Sequence, residues 1–167
     1  MLGLGVDLPP GDALELLARH HGLPSPLLDW TRSPYVAACF AFASCDPAKT
    51  KAVSVYALDR QRFDDAVLDP VSTKVELIDD PDLIVANRRA LQQRGVCLRR
   101  STVEHTLEDI LGRALFKFRV PSAERDAALR DLDQHMVNLT TLFYDLDGAA
   151  RTVGWRCGTT GEVDDSR

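Results

Sequence analysis

The chain has 167 residues, 45% hydrophobic and 27% charged, with a formal net charge of -5 at neutral pH. That length suits one domain with a real core, and the composition excludes a disordered or collagen-like chain. The acidic balance excludes broad binding to nucleic-acid backbones, and no apolar run reaches the roughly 18 residues that a membrane span needs.

Asp12 followed by Glu15 forms a capping-box pattern, and Leu14, Leu16, Leu17 and Ala18 supply one apolar face. This predicts a helix from Asp12 to His20, ended by Gly22 and Pro24. Ser33-Pro34 restarts the chain as an N-cap and a first helical residue. From Tyr35 to Ala43 nearly every side chain is apolar, with Ala37, Ala38, Ala41 and Ala43 small enough for close backbone approach, so a buried helix is expected. Ala52 to Leu58 mixes β-branched and aromatic residues and reads as a strand, and Val75 to Ile78 as a second short one beyond a polar loop.

Asn87 caps a predicted short helix that carries Arg88, Arg89, Gln92 and Gln93, stops at Gly95 and feeds the strand-like Val96-Cys97-Leu98. Ala114 to Val120 alternates as a strand and Pro121 closes it. Ser122 opens an amphipathic helix through Met136 with Ala127, Ala128, Leu129 and Leu132 inward. Leu139 to Trp155 reads as helix with a break near Asp147-Gly148, and the polar tail from Gly158 to Arg167 as disordered. Helices and short strands without a regular βαβ period predict a single mixed α+β domain over residues 1–157, followed by the 158–167 tail.

The four cysteines, Cys39, Cys45, Cys97 and Cys157, have neither paired spacing nor a suitably placed histidine. They argue against a zinc site and a secreted disulfide framework; with a start that lacks a basic signal region, they point to the cytoplasm. No Gly-rich phosphate loop is present, and Asp79, Asp80 and Asp82 around Pro81 read as a solvated turn; no metal or resident cofactor is expected. Arg88, Arg89, Arg94, Arg99 and Arg100 form a local patch, read either as a solvated face or as a holder for one phosphate-bearing ligand.

Asp29-Trp30-Thr31 sits between a Gly/Pro loop and the predicted buried helix. Asp29 and Thr31 suit the helix start as hydrogen-bond acceptors, which alone would account for both. The other reading is a pocket bordered by Trp30 and a pinned carboxylate at a helix N-terminus, a place that favours anions such as a pyrophosphate. His21 suits the end of the first helix. His20 is a candidate ligand contact or general base, with no serine or cysteine nucleophile at a recognisable spacing. His105 and His135 are expected at or near the surface.

These residues resemble the FRG domain family, named for a Phe/Tyr-Arg-Gly motif and carrying H-x-G-L-P-T-R-L-L-D-W-T-x-S-P followed by A-L-x-F-A. His20, Gly22, Leu23, Pro24, Leu27-Leu28-Asp29-Trp30-Thr31, Ser33-Pro34, Ala37, Phe40 and Ala41 fall at those places. A second block, N-x-R-x-x-x-Q-x-G-x-F, is similar to Asn87, Arg89, Gln93 and Gly95, and a third, L-F-x-D-L-x-G, to Leu142 through Gly148. The chain departs at Ser25-Pro26, where the family has Thr-Arg, and at Cys97, where it has Phe. No Phe/Tyr-Arg-Gly precedes His20, and the expectation is a member shortened at its N-terminus or one with a misassigned start.

The block order is in turn similar to the motifs of ADP-ribosyltransferases, which implies an ADP-ribosyltransferase-like fold and NAD, or a related nucleotide, as ligand or substrate. The resemblance assigns ligand binding to His20, Asp29, Trp30, Thr31, Ser33, Asn87 and Arg89. It puts Gln93 at the catalytic position where a carboxylate is expected; an amide there can bond a ribose hydroxyl but cannot offset positive charge. The expected function is a ligand-binding or regulatory module of little or no turnover, in a bacterial or phage-related defence or toxin system. Its partner would be a nucleotide-like small molecule or a protein, with neither broad nucleic-acid binding nor a membrane. The alternative is an ADP-ribosyltransferase-like enzyme acting on NAD.

Overall fold

The computed structural model describes residues 25–67, 75–81, 88–100 and 106–157. Its elements run β1 (Leu27–Thr31), α1 (Pro34–Ala43), β2 (Ala52–Leu58), α2 (Arg60–Val67), β3 (Val75–Ile78), α3 (Arg88–Gln92), β4 (Gly95–Arg100), α4 (Leu107–Leu111), β5 (Leu115–Pro121), α5 (Arg125–Gln134), α6 (Leu139–Phe143) and α7 (Leu146–Arg156). This is the expected mixed α+β domain. The strands form two antiparallel sheets, one in the order β1-β4-β3 and one pairing β2 with β5. The predicted helix from Asp12 to His20 and the tail from Gly158 lie outside the described residues.

Asp29-Trp30-Thr31 is strand, not the edge of a loop. Ser25 Oγ accepts the Leu27 amide at 3.2 Å, and the Pro26 carbonyl accepts the Arg100 amide at 3.1 Å, which seats β1 on β4. Asp29 then lies opposite Cys97 and Trp30 opposite Val96. Side chains alternate across the sheet. Leu27 clusters with Ile78 and Cys97, while Leu98, Val75, Phe63, Leu111 and Ala114 make a second cluster against which Trp30 packs. An acidic residue in a short edge strand conceals that alternation from a reading of sequence.

Ser33 caps α1 as expected: its hydroxyl accepts the Val36 amide at 3.4 Å, and Pro34 opens the helix. Asp29 therefore does not cap this helix, because β1 carries it away from the helix start. The expectation of complete burial also needs correction, since Tyr35 is 59% exposed. Val36, Cys39 and Phe42, one helical face, enter clusters with Leu132 and Leu142 and with Val53 and Leu129. Burial, and secondarily the nearby Asp133 carboxylate, push the Cys39 thiol up to about 11. The opposite face of α1 borders a cleft instead of a second core.

Ser122 begins a short 3-10 turn ahead of α5, and Leu129 and Leu132 point inward while Ala127 is exposed, contrary to its predicted place. The break in the last helical stretch falls at Tyr144, whose φ of 57° is left-handed, and not at Gly148. Gly148 lies within α7, where a Cβ would stand 2.6 Å from the Leu139 carbonyl oxygen and 2.9 Å from Phe143 Cβ. Asp133 ties α5 to both later helices, accepting from Arg156 Nη2 at 2.6 Å and from Asn138 Nδ2 at 2.8 Å.

Gly-to-Ala inside a helix normally stabilises through propensity. Gly148→Ala should do the opposite, lowering unfolding free energy by about 1–3 kcal/mol in a urea titration because the added methyl meets backbone; a gain in stability would show that α6 and α7 can separate freely. The Arg156 hydrogen bond, more than the one from Asn138, holds the Asp133 carboxyl below its ordinary value. Its stabilisation is therefore present above the ordinary carboxylate range and is lost as pH falls through the lowered value. Melting temperature measured against pH should fall on the acid side less steeply in Asp133→Asn than in the parent.

Candidate ligand-binding cleft

β1 ends one sheet and β2 belongs to the other, and the two do not pair with each other. α1 packs against both. The gap between them is a cleft of about 500 Å³, walled by Leu28 to Thr31 from β1, by Ser54 to Tyr56 from β2, and by Ala37, Phe40 and Ala41 from α1. Gln93 and Glu108 complete its polar lining. Consecutive residues of two strands border it, as expected where strand edges face one another. The small Ala37 and Ala41 leave the volume that larger residues would fill.

The chemistry of this space is aromatic and acidic. Trp30, Phe40 and Tyr56 supply rings, Asp29 and Glu108 supply carboxylates, and the lining holds no arginine, lysine or histidine among the described residues. The Tyr56 hydroxyl donates to Glu108 Oε1 at 3.2 Å, joining β2 to α4 across the wall. Asp29 Oδ1 lies 3.8 Å from the Cys97 thiol. A second compartment of about 390 Å³ shares Trp30, Thr31 and Tyr56 with this cleft and is bordered by Arg32, Arg60 and Asp79. Arg60 Nη1 meets Asp79 at 2.8 Å and Arg32 Nη2 meets it at 3.4 Å. The Arg60 hydrogen bond is the leading cause that holds the Asp79 carboxyl below its usual range.

Thr31, Gln93 and Leu142, one residue from each sequence block, meet behind this wall. The Thr31 hydroxyl donates to the Gln93 carbonyl at 2.7 Å and accepts the Ser33 amide at 3.0 Å, while Gln93 Nε2 donates to the Leu142 carbonyl at 3.2 Å. Arg89 lies over the Phe143 ring, 4.1 Å from its centroid, and Arg88 over Tyr144 at 4.6 Å. Phe143 in turn meets Phe40 edge to face at 5.7 Å. Gly95 allows the close return of β4 past α3, since a Cβ would stand 3.2 Å from the Ala90 carbonyl oxygen.

The structure thus brings Asp29, Trp30, Thr31 and Gln93 to one cleft and does not bring Arg89 there. Ser33 is buried and borders the second compartment, with its hydroxyl engaged in the cap. His20 and Asn87 lie outside the described residues. Within the arginine patch, Arg88 and Arg89 cover rings, and Arg99 pairs with Glu76 at 2.7 Å. Tyr56 and Glu108 were not legible as site residues. Glu108 sits in the first turn of a helix capped by Thr106 and Asp109, an ordinary place for an acidic residue.

The FRG domain family model matches residues 9–50. The FRG match covers the first block, with Asp29, Trp30, Thr31 and Ser33, and agrees with the resemblance read from those residues; the second and third blocks lie beyond it. No curated protein and no solved structure matches the chain. Among the described residues, no helix is long and apolar enough to cross a membrane, and no group of His, Cys, Asp and Glu could hold a metal ion.

Within the FRG match, Thr31 does structural duty that a methyl cannot replace. Thr31→Val should cost about 1–3 kcal/mol in chemical denaturation, because the Gln93 carbonyl and the Ser33 amide both lose their partner, whereas Thr31→Ser should retain most of that stability. Equal midpoints for the valine variant and the parent would show that the hydroxyl is dispensable to the fold.

Proposed function

We propose that the cleft between β1 and β2 binds NAD or a related nucleotide, and that the domain acts as a ligand-binding or regulatory module with little or no turnover. The observation that carries this reading is a wall of Trp30, Thr31 and Tyr56 shared by two adjacent cavities. One is lined by rings and carboxylates, and the other by Arg32 and Arg60 together with their partner Asp79, Arg60 pairing with Asp64 as well. A nucleotide has a planar ring to stack and phosphates to bind, and the two neighbouring cavities offer rings and guanidinium groups side by side.

Arg32 and Arg60 take the phosphate role considered for the patch of Arg88, Arg89, Arg94, Arg99 and Arg100, in which the Arg89 guanidinium covers Phe143. The case against turnover rests on Gln93. Its side-chain amide is held by the Leu142 carbonyl and its backbone carbonyl by Thr31, so it joins structural elements and brings no negative charge to an oxocarbenium-like centre.

Calorimetric titration with NAD tests the reading. The parent should bind, and Tyr56→Ala, which spares the buried clusters, should bind roughly tenfold more weakly, on the scale of a lost base–aromatic stack. Nicotinamide release measured in the same samples should stay at the background rate. Absence of heat at millimolar NAD would overturn the reading, and sustained nicotinamide release abolished by Glu108→Gln would replace the regulatory module with an enzyme.

A further inference from the structure

A groove of about 530 Å³ lies where the start of α1, the end of α3 and the corner between α5 and α6 meet, and apart from Ser33 it shares no residue with the two cavities above. Tyr35, Leu91 and Met136 line it and are large, apolar and exposed, Met136 by 70%. Single apolar residues scattered over a surface need no explanation, but three gathered round one groove mark a contact surface. Its charged lining is Arg94 with His135, and it holds no carboxylate among the described residues. The Arg94 guanidinium has no ion pair among those residues, while Asp133, two positions before His135, is held by Arg156 and Asn138. Backbone conformation sets the same two places apart: φ is 48° at Arg94 and 60° at Met136. Each amide closes the end of a helix, Arg94 on the Leu91 carbonyl at 3.1 Å and Met136 on the Asp133 carbonyl at 3.0 Å. Glycine sits in such left-handed positions with less strain. Here both carry long side chains that lie exposed on the groove, and strain of that kind accompanies function more readily than packing.

We propose that this groove binds a short segment of a partner protein, which sets an aliphatic or aromatic side chain among Tyr35, Leu91 and Met136 and a carboxylate against Arg94. Tyrosine, methionine and arginine are the residue types enriched at protein interfaces, and a methionine adapts its shape to the side chain that enters. A planar guanidinium with no acidic partner of its own suits one carboxylate in a two-point contact. The net charge of -5 opposes a nucleic acid or an anionic membrane, whose many phosphates one unpaired arginine does not offset. The groove stands apart from the β1 and β2 cleft, so this assignment does not depend on the nucleotide reading.

The experiment selects a phage-displayed library of random dodecapeptides on the intact chain and follows the synthetic winners through the methionine methyl resonances, of which the chain has two, from Met1 and Met136. Winners should combine Asp or Glu with a large apolar residue and should move the Met136 resonance, assigned by its loss in Met136→Gly. Replacing the peptide's acid with its amide should weaken binding to the parent about tenfold and scarcely alter binding to Arg94→Gly. Arg94→Gly and Met136→Gly relieve left-handed strain, so neither should melt below the parent, yet each should bind the winners at least about tenfold more weakly. The proposal is overturned by an absence of winners, by winners that leave the Met136 resonance in place, by equal losses on acid removal in the parent and Arg94→Gly, or by glycine variants that melt below the parent. With no peptide present, a Met136 resonance that moves on dilution would assign the groove to a second copy of the chain. One that moves when Asp164 and Asp165 are replaced by asparagine would assign it to residues 158–167, and either result overturns the partner assignment.

Discussion

The hydrogen bonds around Gln93 are the constraint from which the arrangement of this domain follows. One backbone carbonyl takes the Thr31 hydroxyl, and one side-chain amide reaches the Leu142 carbonyl. Through them the end of β1, the turn between α3 and β4, and the α6 helix are held as one piece. A second link, from the Arg32 amide to the Arg94 carbonyl at 3.0 Å, repeats the attachment one residue further along. Each bond is worth only about 1 kcal/mol net, but loss of any partner strands a partly buried polar group, which makes the joint costly to open.

With that joint in place, the unusual composition of α1 has a physical account. A helix apolar on every face normally lies wholly inside a core. Here one face meets α5, α6 and β2, and the other borders the cleft with Ala37, Phe40 and Ala41. The apolar surround thus serves a core and a binding wall together. The same economy of position explains Arg89 and Phe143: a guanidinium over a ring, in contact with Phe40, braces the wall from behind. Such stacking contributes about 0.5–1 kcal/mol at an exposed site, enough to orient side chains though not to hold the fold.

The order of elements was largely readable because capping and periodicity are local. Ser33-Pro34 announced α1, and Gly95 marked the passage from α3 into β4. The failures have physical causes. β1 was concealed by an acidic residue within a short edge strand, Ala127 faces solvent because alanine tolerates either side, and the helical break fell at Tyr144 because Gly148 is required for close packing rather than for a turn. Half of the site was legible in the same way, since Asp29, Trp30, Thr31 and Gln93 stood out by their motif spacing.

By itself the sequence determined the α+β class, the capped helices and the FRG resemblance, now supported by the match at residues 9–50. Those properties reside in neighbouring residues and their intervals. Only the tertiary structure decided that Tyr56 and Glu108 share a cleft with Asp29, that Arg32 and Arg60 border the neighbouring compartment, and that Arg89 lies over Phe143 instead. The reason is physical: hydrophobic periodicity specifies which face of an element is buried, whereas the edge of β1 meets β2 only through the way α1 packs on both strands. Which charges come together depends on that meeting, and no local spacing records it.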